Sequence, residues 1–209
     1  MVSVTGAVRQ TLTERRFDEL RLSVALVAEE LFVLHGGTSI TVESICQSAG
    51  ISQRTFYRHF AVKEDVVVPL FERAAELVIE SLDAAPTDAD VVPVLAEIFS
   101  RQVFDNERPA VLRRQFLRVV MDAPEYRLRW HTIDEPLTGP LADFLSRRGR
   151  VDDDPFDRSL RAGLVLHAIR LAYYHWIRTD ASPDLPKLLE QALSAVVSPW
   201  AANADDQRL

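Results

Sequence analysis

The amino-acid sequence predicts an all-α protein of about nine or ten helices. Glycine is scarce, with 7 among 209 residues, while Ala, Leu, Val, Glu and Arg dominate, and this composition favours helices. Apolar residues recur at helical spacing, and Gly, Pro and capping residues mark where the helical segments begin and end.

The first helix should start at Thr11, because Thr11 and Glu14 have the spacing of a capping box. We expect it to continue to His35, since Gly36 and Gly37 follow and glycine commonly ends a helix. Its apolar residues recur at helical spacing and should pack on the next two helices: Phe17, Leu20, Val24, Ala28 and Leu31.

The segment 41–60 predicts two short helices joined by a tight turn. Thr41 and Ser52 are suitable N-caps for these helices. Between them, Gly50 supplies the left-handed backbone conformation that ends the first helix and turns the chain sharply. Two capped helices with a glycine turn of this length form a helix-turn-helix, whose second helix lies in the DNA major groove.

The next segments extend the helical pattern beyond this motif. A fourth helix should cover about 63–82 with a kink at Pro69, because proline removes one backbone hydrogen bond. The stretch 84–90 is the best candidate for a linker. Two further helices should follow, at about 91–105 and 109–122.

Proline and glycine also divide the C-terminal half. Pro136, Gly139 and Pro140 should interrupt the helix that Pro124 opens. Asp154 and the proline after it should cap a long helix. We expect the later helices at roughly 125–135, 138–148, 155–178 and 185–197.

The segment 41–64 carries the pattern Thr-Val-x-x-Ile-x-x-x-Ala-Gly-Ile-Ser-x-x-Thr-Phe-Tyr-x-His-Phe-x-x-Lys-Glu. The first helix contains the residues that usually precede this pattern: Val24, Ala28, Leu31, Phe32 and Gly36. Over this first third, the chain resembles the TetR family of bacterial one-component regulators. After Glu64 the resemblance is only architectural.

The resemblance implies a helix-turn-helix DNA-binding domain at 1–64 and a helical ligand-binding and dimerisation domain at 65–209. It further implies a homodimeric, ligand-responsive transcriptional repressor that binds a palindromic DNA operator. An activator or a ligand-independent regulator of the same fold is the alternative. A helical adaptor without DNA binding should lack Tyr57, His59 or Lys63, yet all three are present. The sequence shows no nucleophile–base pair or phosphate loop, so we do not expect an enzyme.

The second helix of the motif carries side chains suited to bases and to phosphates. Gln53 and Arg54 begin it, and these residue types pair with adenine and guanine through bidentate hydrogen bonds; an ordinary solvated helix start is the alternative. Thr55 either touches a thymine methyl or only supports the first turn. The resemblance implies phosphate contacts, which carry no sequence information, for a further set: Tyr57, His59 and Lys63.

Other residues near the motif are further candidates for DNA contacts, and most of them have an alternative role. Thr41, at a helix N-terminus, should offer hydroxyl and amide donors to a phosphate. Ser52 either contacts DNA or serves only as a cap, and Arg58 faces either DNA or solvent. Three upstream arginines either form an arm that reaches the backbone or minor groove or belong to a disordered terminus: Arg9, Arg15 and Arg16.

The net charge of −7 is distributed unevenly. Residues 1–64 carry seven Lys/Arg and seven Asp/Glu, and the remainder carries seventeen against twenty-four. The segment 52–63 holds three cations and no acid. A local basic surface is enough for phosphate binding, while an acidic body weakens non-specific attachment to DNA.

The last two long helices predict a dimer, because the penultimate helix is apolar on two faces and one monomer core covers only one of them. One face carries Leu160, Leu164, His167, Leu171 and Tyr174, and the other carries Val165, Ile169, Ala172 and Trp176. The alternative is that both faces are internal core. We assign the interface to these residues: Leu160, Leu164, Leu171, Leu189, Leu193 and Val196.

The helices at about 91–178 should enclose a pocket for a small-molecule effector. A buried polar side chain needs a partner that a ligand can supply, and aromatic side chains commonly line such pockets. The candidates are Arg118, Trp130, His131, His167, Arg170 and Tyr174. Two arginine clusters suit a phosphorylated or carboxylated ligand, or else solvated faces: residues 113, 114 and 118, and residues 147, 148 and 150. A weak resemblance of the later helices to a subgroup with acyl-CoA-like ligand domains implies a lipid-derived effector; hydrophobic drugs or metabolites are the alternative.

Other site classes are disfavoured. Cys46 is the single cysteine, so it has no disulfide partner in the chain, and a small buried hydrophobe explains it better than a redox switch. The acids at 152–154 suit helix capping better than a metal, and the histidines lack zinc-ligand spacing, so we expect no metal and no cofactor. No segment has the length of a signal peptide core or a membrane span, so we expect no membrane association and a cytoplasmic location.

Overall fold

The computed structural model describes residues 11–104, 109–149, 154–179 and 184–206, and in these ranges all regular secondary structure is helical. The prediction of an all-α fold is confirmed. The first helices are α1 (Leu12–His35), α2 (Val42–Ala49), α3 (Gln53–His59), a 3₁₀ turn (Lys63–Val67), α4 (Val68–Ala84) and α5 (Val91–Phe104). The others are α6 (Ala110–Asp122), α7 (Pro124–His131), α8 (Asp134–Ser146), α9 (Pro155–Arg178) and α10 (Leu185–Asp206). Arg9, Arg150 and the acids at 152–153 lie outside the described residues.

The predicted caps of α1 and α9 are confirmed. The Thr11 hydroxyl accepts a hydrogen bond from the Glu14 amide at 3.2 Å, and the Glu14 carboxylate accepts one from the Thr11 amide at 2.7 Å. Gly36 ends α1 with φ 62°. Asp154 caps α9 by accepting a hydrogen bond from the Asp157 amide at 2.8 Å. Each cap satisfies a backbone group that has no partner within its helix.

The helix-turn-helix forms as its sequence predicts. Thr41 and Ser52 each accept a hydrogen bond at 3.1 Å from the backbone amide three residues later. Gly50 ends α2 with φ 67°. A β-carbon built at Gly50 meets no atom within 4 Å, so the backbone conformation, and not lack of space, requires glycine there.

The prediction of one helix kinked at Pro69 is wrong. The 3₁₀ turn Lys63–Val67 comes first, and α4 begins at Val68, so Pro69 occupies its first turn. Proline is tolerated there because the amide it lacks would have no partner within the helix.

The break predicted between helices at 125–135 and 138–148 is also misplaced. The break between α7 and α8 falls at residues 132–133, and Pro136, Gly139 and Pro140 all lie inside α8. Pro136 belongs to the first turn of α8, where proline is tolerated. Pro140 sits in the helix interior and leaves one helical hydrogen bond unmade. The last helix, α10, continues past the predicted end at 197 to Asp206.

The helix-turn-helix and the larger helical bundle share one hydrophobic core. Helix α1 contacts α2, α4, α6 and the 3₁₀ turn, so it reaches both parts of the molecule. Phe32 near its end meets the ring of Tyr126 on α7 edge to face, with centroids 5.4 Å apart. Within the residues that the structure describes, every helix is too short or too polar to cross a membrane.

Candidate DNA-binding surface and effector pocket

Helix α3 presents a polar face to solvent and an apolar face to the core. Phe56 is fully buried and packs on Phe60, with ring centroids 4.9 Å apart. Gln53 and Arg54, in the first turn, are exposed, and so are the other candidate contacts Tyr57 and Arg58. The packing of the phenylalanines therefore fixes which face of α3 is available to another molecule.

The hydroxyl residues at the starts of α2 and α3 are held in place by local hydrogen bonds. The Ser52 and Thr55 hydroxyls lie 3.0 Å apart, and those of Thr41 and Ser44 lie 2.9 Å apart. Ser52 and Thr41 are exposed, whereas Thr55 is half-buried. The capping role of Thr41 and Ser52 is observed directly, and their contact with DNA stays a prediction.

His59 is half-buried at the end of α3 and packs on α1. Its ring stacks on Phe17 with centroids 4.2 Å apart, and its Nε2 lies 3.4 Å from Nη2 of Arg58. Burial, then the charges of Arg58 and Arg21, lower the pKa of His59, so the imidazole is neutral at neutral pH. Its Nδ1 is buried, so a hydrogen bond to a phosphate would have to come from Nε2 in place of the contact with Arg58.

Lys63 is already engaged inside the protein. Its Nζ donates hydrogen bonds to the carbonyl oxygens of Thr38 at 2.9 Å and Ile40 at 3.3 Å. The ammonium therefore ties the loop before α2 to the 3₁₀ turn. Since an ammonium has three donors, one hydrogen is left for a phosphate. Farther upstream, Arg15 and Arg16 are exposed on the first turns of α1.

A cavity of about 100 Å³ lies among the helices of the larger bundle. Its wall is mostly apolar and comes from α4, α5, α6, α7, α8 and α9, together with the turn before α8. Two of the predicted ligand residues, Trp130 and Arg170, line it. Arg170 pairs with Asp134 and lies over the Trp130 ring at 5.7 Å, and burial lowers the pKa of Arg170.

The other predicted ligand residues lie outside the wall of this cavity, and their contact with a ligand stays a prediction. His131 and Tyr174 share a hydrogen bond at 3.2 Å, and the Tyr174 ring meets Trp130 with centroids 5.4 Å apart, so they support the wall from outside. Arg118 and His167 are exposed, because they lie on the faces of α6 and α9 that point away from the core.

The two arginine clusters are mainly structural. Arg114 donates from Nε to the carbonyl of Trp176 at 3.0 Å, which fastens α6 to α9. Arg148 stacks over Phe144 at 3.7 Å and donates to the carbonyl of Ala85 at 3.2 Å. Neither residue lines the cavity.

Arg113 is the exception within these clusters. It lines the cavity, and its Nη1 lies 3.2 Å from Oε1 of Glu29 on α1. The two side chains are 12% and 3% exposed. Sequence reasoning noted Arg113 only as one of several clustered arginines, and Glu29 not at all, because an arginine and a distant glutamate carry no sequence signal of their pairing.

Helix α9 has one buried and one exposed apolar face. Val165, Ile169, Ala172 and Trp176 are buried, whereas Leu160, Leu164 and Leu171 are 45%, 43% and 54% exposed. The alternative in which both faces belong to the monomer core is therefore wrong. The assignment of Leu189 and Leu193 to an interface is also corrected, because both are fully buried inside the chain, while Val196 is half-buried.

Comparison with known proteins agrees with this architecture. The family model for bacterial regulatory proteins of the tetR family matches residues 26–69, which span the C-terminal part of α1, the helix-turn-helix, the 3₁₀ turn and the start of α4. A Mycobacterium tuberculosis protein named "Putative mycofactocin biosynthesis transcriptional regulator MftR" is 30% identical over 173 residues, covering 81% of this chain and 85% of that protein. The chain belongs to the TetR family. It is a DNA-binding transcriptional regulator, and this prediction is confirmed.

Other TetR-family regulators match along most of their length. The HTH-type transcriptional regulator TcmR of Streptomyces glaucescens is 29% identical and covers 88% of this chain and 86% of that protein. Among solved structures, Thermus thermophilus FadR in complex with lauroyl-CoA has a TM-score of 0.59 at 21% identity, covering 84% of this chain and 92% of FadR. SmeT, the repressor of a Stenotrophomonas maltophilia multidrug efflux pump, has a TM-score of 0.60 at 18% identity, covering 86% and 89%. At these identities the two structures support the fold alone.

Proposed function

We propose that this TetR-family regulator is a ligand-responsive repressor that binds a palindromic operator as a homodimer. The observation that carries the proposal is that one chain combines an exposed DNA-reading helix with an apolar cavity whose wall includes α4, the helix that follows the reading unit. The functional division that we propose is residues 1–64 for DNA binding and residues 65–209 for effector binding and dimerisation.

The exposed face of α3 would lie in the major groove. Gln53 and Arg54 project from the first turn and would read base edges, adenine and guanine being their usual partners. Tyr57 and Arg58 would contact phosphates, with Thr41 at the start of α2 as a further donor. The remaining candidates would contact DNA from the edge of this surface: Ser52, Thr55, His59 and Lys63.

The exposed apolar face of α9 would form the dimer interface. Leu160, Leu164 and Leu171 are each about half exposed, and no polar side chain separates the first two along that face. A twofold axis through this face would pair α9 with its copy and place two reading units on successive major grooves, roughly 34–36 Å apart.

An effector in the cavity would act through α4. Five residues of α4 in the wall, from Leu70 to Val78, move with any change in the tilt of this helix. A changed tilt would alter the separation of the two reading units and so weaken operator binding. The FadR structure contains lauroyl-CoA, so an acyl-CoA is the alternative effector, whereas a cavity of about 100 Å³ favours a compact apolar molecule.

A gel-shift series at stated salt concentration tests the DNA-reading part. The probe is the DNA upstream of the chain's own gene, against a scrambled duplex. Arg54→Ala should relax sequence preference at one base position, with a loss of about 1–3 kcal/mol there. Tyr57→Ala should weaken binding equally on both duplexes.

Arg101→Ala is the matched control, because Arg101 is also exposed but lies on α5, where it pairs with Glu97. It should leave the gel shift unchanged. The proposal would be wrong if the wild-type chain shifted no duplex even at low salt.

A further inference from the structure

Arg113 connects the effector cavity to the DNA-reading part of the molecule. Its side chain is in the cavity wall, and its guanidinium pairs with Glu29 on α1. Helix α1 in turn packs directly on α2. A molecule bound in the cavity can therefore act on α1 through the Arg113–Glu29 ion pair, in addition to any effect through α4.

The guanidinium of Arg113 has a donor that the protein does not use. Its Nε is buried and has no hydrogen-bond partner among the described residues, and Arg113 is the one cavity-wall residue among them with such an atom. A buried donor left without a partner destabilises the state in which it lacks one. By contrast, the Tyr173 hydroxyl donates to the Phe99 carbonyl, and Arg170 pairs with Asp134. An acceptor on a bound molecule would satisfy the Arg113 Nε.

We propose that the effector is a compact apolar monocarboxylate whose carboxylate accepts hydrogen bonds from Arg113, in competition with Glu29. This inference rests on the proposed ligand response and names the effector class. The effector thereby weakens the contact between α6 and α1.

Size and charge both support this class. The cavity holds about 100 Å³, less than the roughly 150 Å³ cavity that accepts benzene, so a single ring or a short chain fits with slight expansion of the wall. A carboxylate in an apolar cavity needs a paired cation, and Arg113 supplies one. An uncharged acceptor can take a hydrogen bond from that guanidinium but does not neutralise its charge.

Competition follows because two carboxylates would share one cation in surroundings of low dielectric. Glu29 is 2% exposed, so water cannot compensate for a weakened ion pair. The repulsion between the two carboxylates decreases if α1 moves away from α6. The ligand therefore disfavours the arrangement in which α1 is docked on the bundle.

Calorimetry on the full-length protein without DNA tests the effector class. The probes are benzoate, phenylacetate and hexanoate, each against its neutral amide. At least one carboxylate should bind clearly more tightly than its amide. Arg113→Met should abolish this preference, whereas Arg118→Met, an exposed arginine on the same helix, should retain it.

Glu29→Gln gives the sharper result, because a purely structural role for the ion pair would not raise ligand affinity. We expect the same carboxylate to bind about tenfold more tightly to this variant, within the range of measured coupling between sites, and the amide to bind as before. Thermal unfolding checks that Glu29→Gln is folded. If this variant does not fold, the comparison of carboxylates with amides on the wild-type protein still tests the effector class.

The inference is overturned if no carboxylate binds, if the amides bind equally well, or if folded Glu29→Gln binds the carboxylate no more tightly. Gel shifts separate this outcome from failure of the proposed function. A chain that shifts its operator but fails the calorimetry overturns only the effector class. A chain that binds carboxylates but shifts no DNA overturns the proposed function.

Discussion

Leu164→Ala tests the dimer interface, because Leu164 lies in the middle of the exposed apolar face of α9. Its side chain is 43% exposed in the single chain. Complete burial of a leucine contributes about 2 kcal/mol, so covering the exposed part contributes about 1 kcal/mol in each protomer. The substitution therefore costs about 2 kcal/mol per dimer, since two copies meet at the axis. This is about a 30-fold increase in the dimer dissociation constant.

Sedimentation equilibrium over a dilution series measures this constant. Leu128→Ala is the matched control: Leu128 is 59% exposed, but it lies on α7, away from the α9 face. It should leave the dissociation constant unchanged. Adding Leu171→Ala to Leu164→Ala should raise the cost to about 4 kcal/mol, or roughly a thousandfold.

Two results would refute this reasoning. In the first, Leu164→Ala and Leu128→Ala have the same dissociation constant, which would place the interface on another surface. In the second, the wild-type chain sediments as a monomer at every concentration tested. Circular dichroism of each variant verifies that its helices are intact, so that a lost dimer is not confused with a lost fold.

Three further predictions concern stability, measured by urea unfolding without DNA. Gly50→Ala should lower the free energy of unfolding by about 1–2 kcal/mol, because φ 67° strains any residue with a β-carbon; an unchanged free energy of unfolding would contradict the role of the backbone conformation. Lys63→Met should lower the free energy of unfolding by about 1–3 kcal/mol, because two backbone carbonyls lose a charged donor; an unchanged stability with weakened operator binding would instead make the phosphate the main partner of this lysine. Burial and two neighbouring arginines hold the pKa of His59 below its ordinary value of 6.5. The unfolded chain therefore binds more protons than the folded chain, and the free energy of unfolding decreases as the pH falls below about 6.5. His59→Asn should reduce this decrease, and an identical pH dependence in wild type and variant would argue against a contribution from His59.

The helix ends could be predicted because capping is local chemistry. Thr11 and Glu14 are three residues apart, and their reciprocal hydrogen bonds form within one turn. Gly50 and Asp154 act equally locally. The face of α3 could also be predicted, since Phe56 and Phe60 are four residues apart and must share the buried side.

The effect of each proline on its helix and the identity of the residues that line the cavity could not be predicted from local sequence. Whether Pro69 kinks a helix depends on where that helix begins, and the 3₁₀ turn before it moved the beginning to Val68. Likewise, Arg113 and Arg118 lie on the same helix with similar neighbours in sequence, yet one is buried beside Glu29 and the other is exposed. Only the placement of α1 against α6 distinguishes them.

The ion pairs Arg21–Glu72 and Glu29–Arg113 both connect α1 to the larger bundle, and their burial decides which one breaks more easily. Arg21 and Glu72 lie 3.2 Å apart with 19% and 51% of their side chains exposed, and pairs as exposed as this contribute at most about 1 kcal/mol. Glu29 and Arg113 are almost fully buried, and removing one partner of such a pair costs about 3–5 kcal/mol. A movement of α1 that breaks the Arg21–Glu72 pair therefore costs little free energy. A movement that breaks the Glu29–Arg113 pair is strongly disfavoured unless another anion pairs with Arg113. Arg113 lines the cavity, so an anion bound there would act on the more strongly held of these two ion pairs.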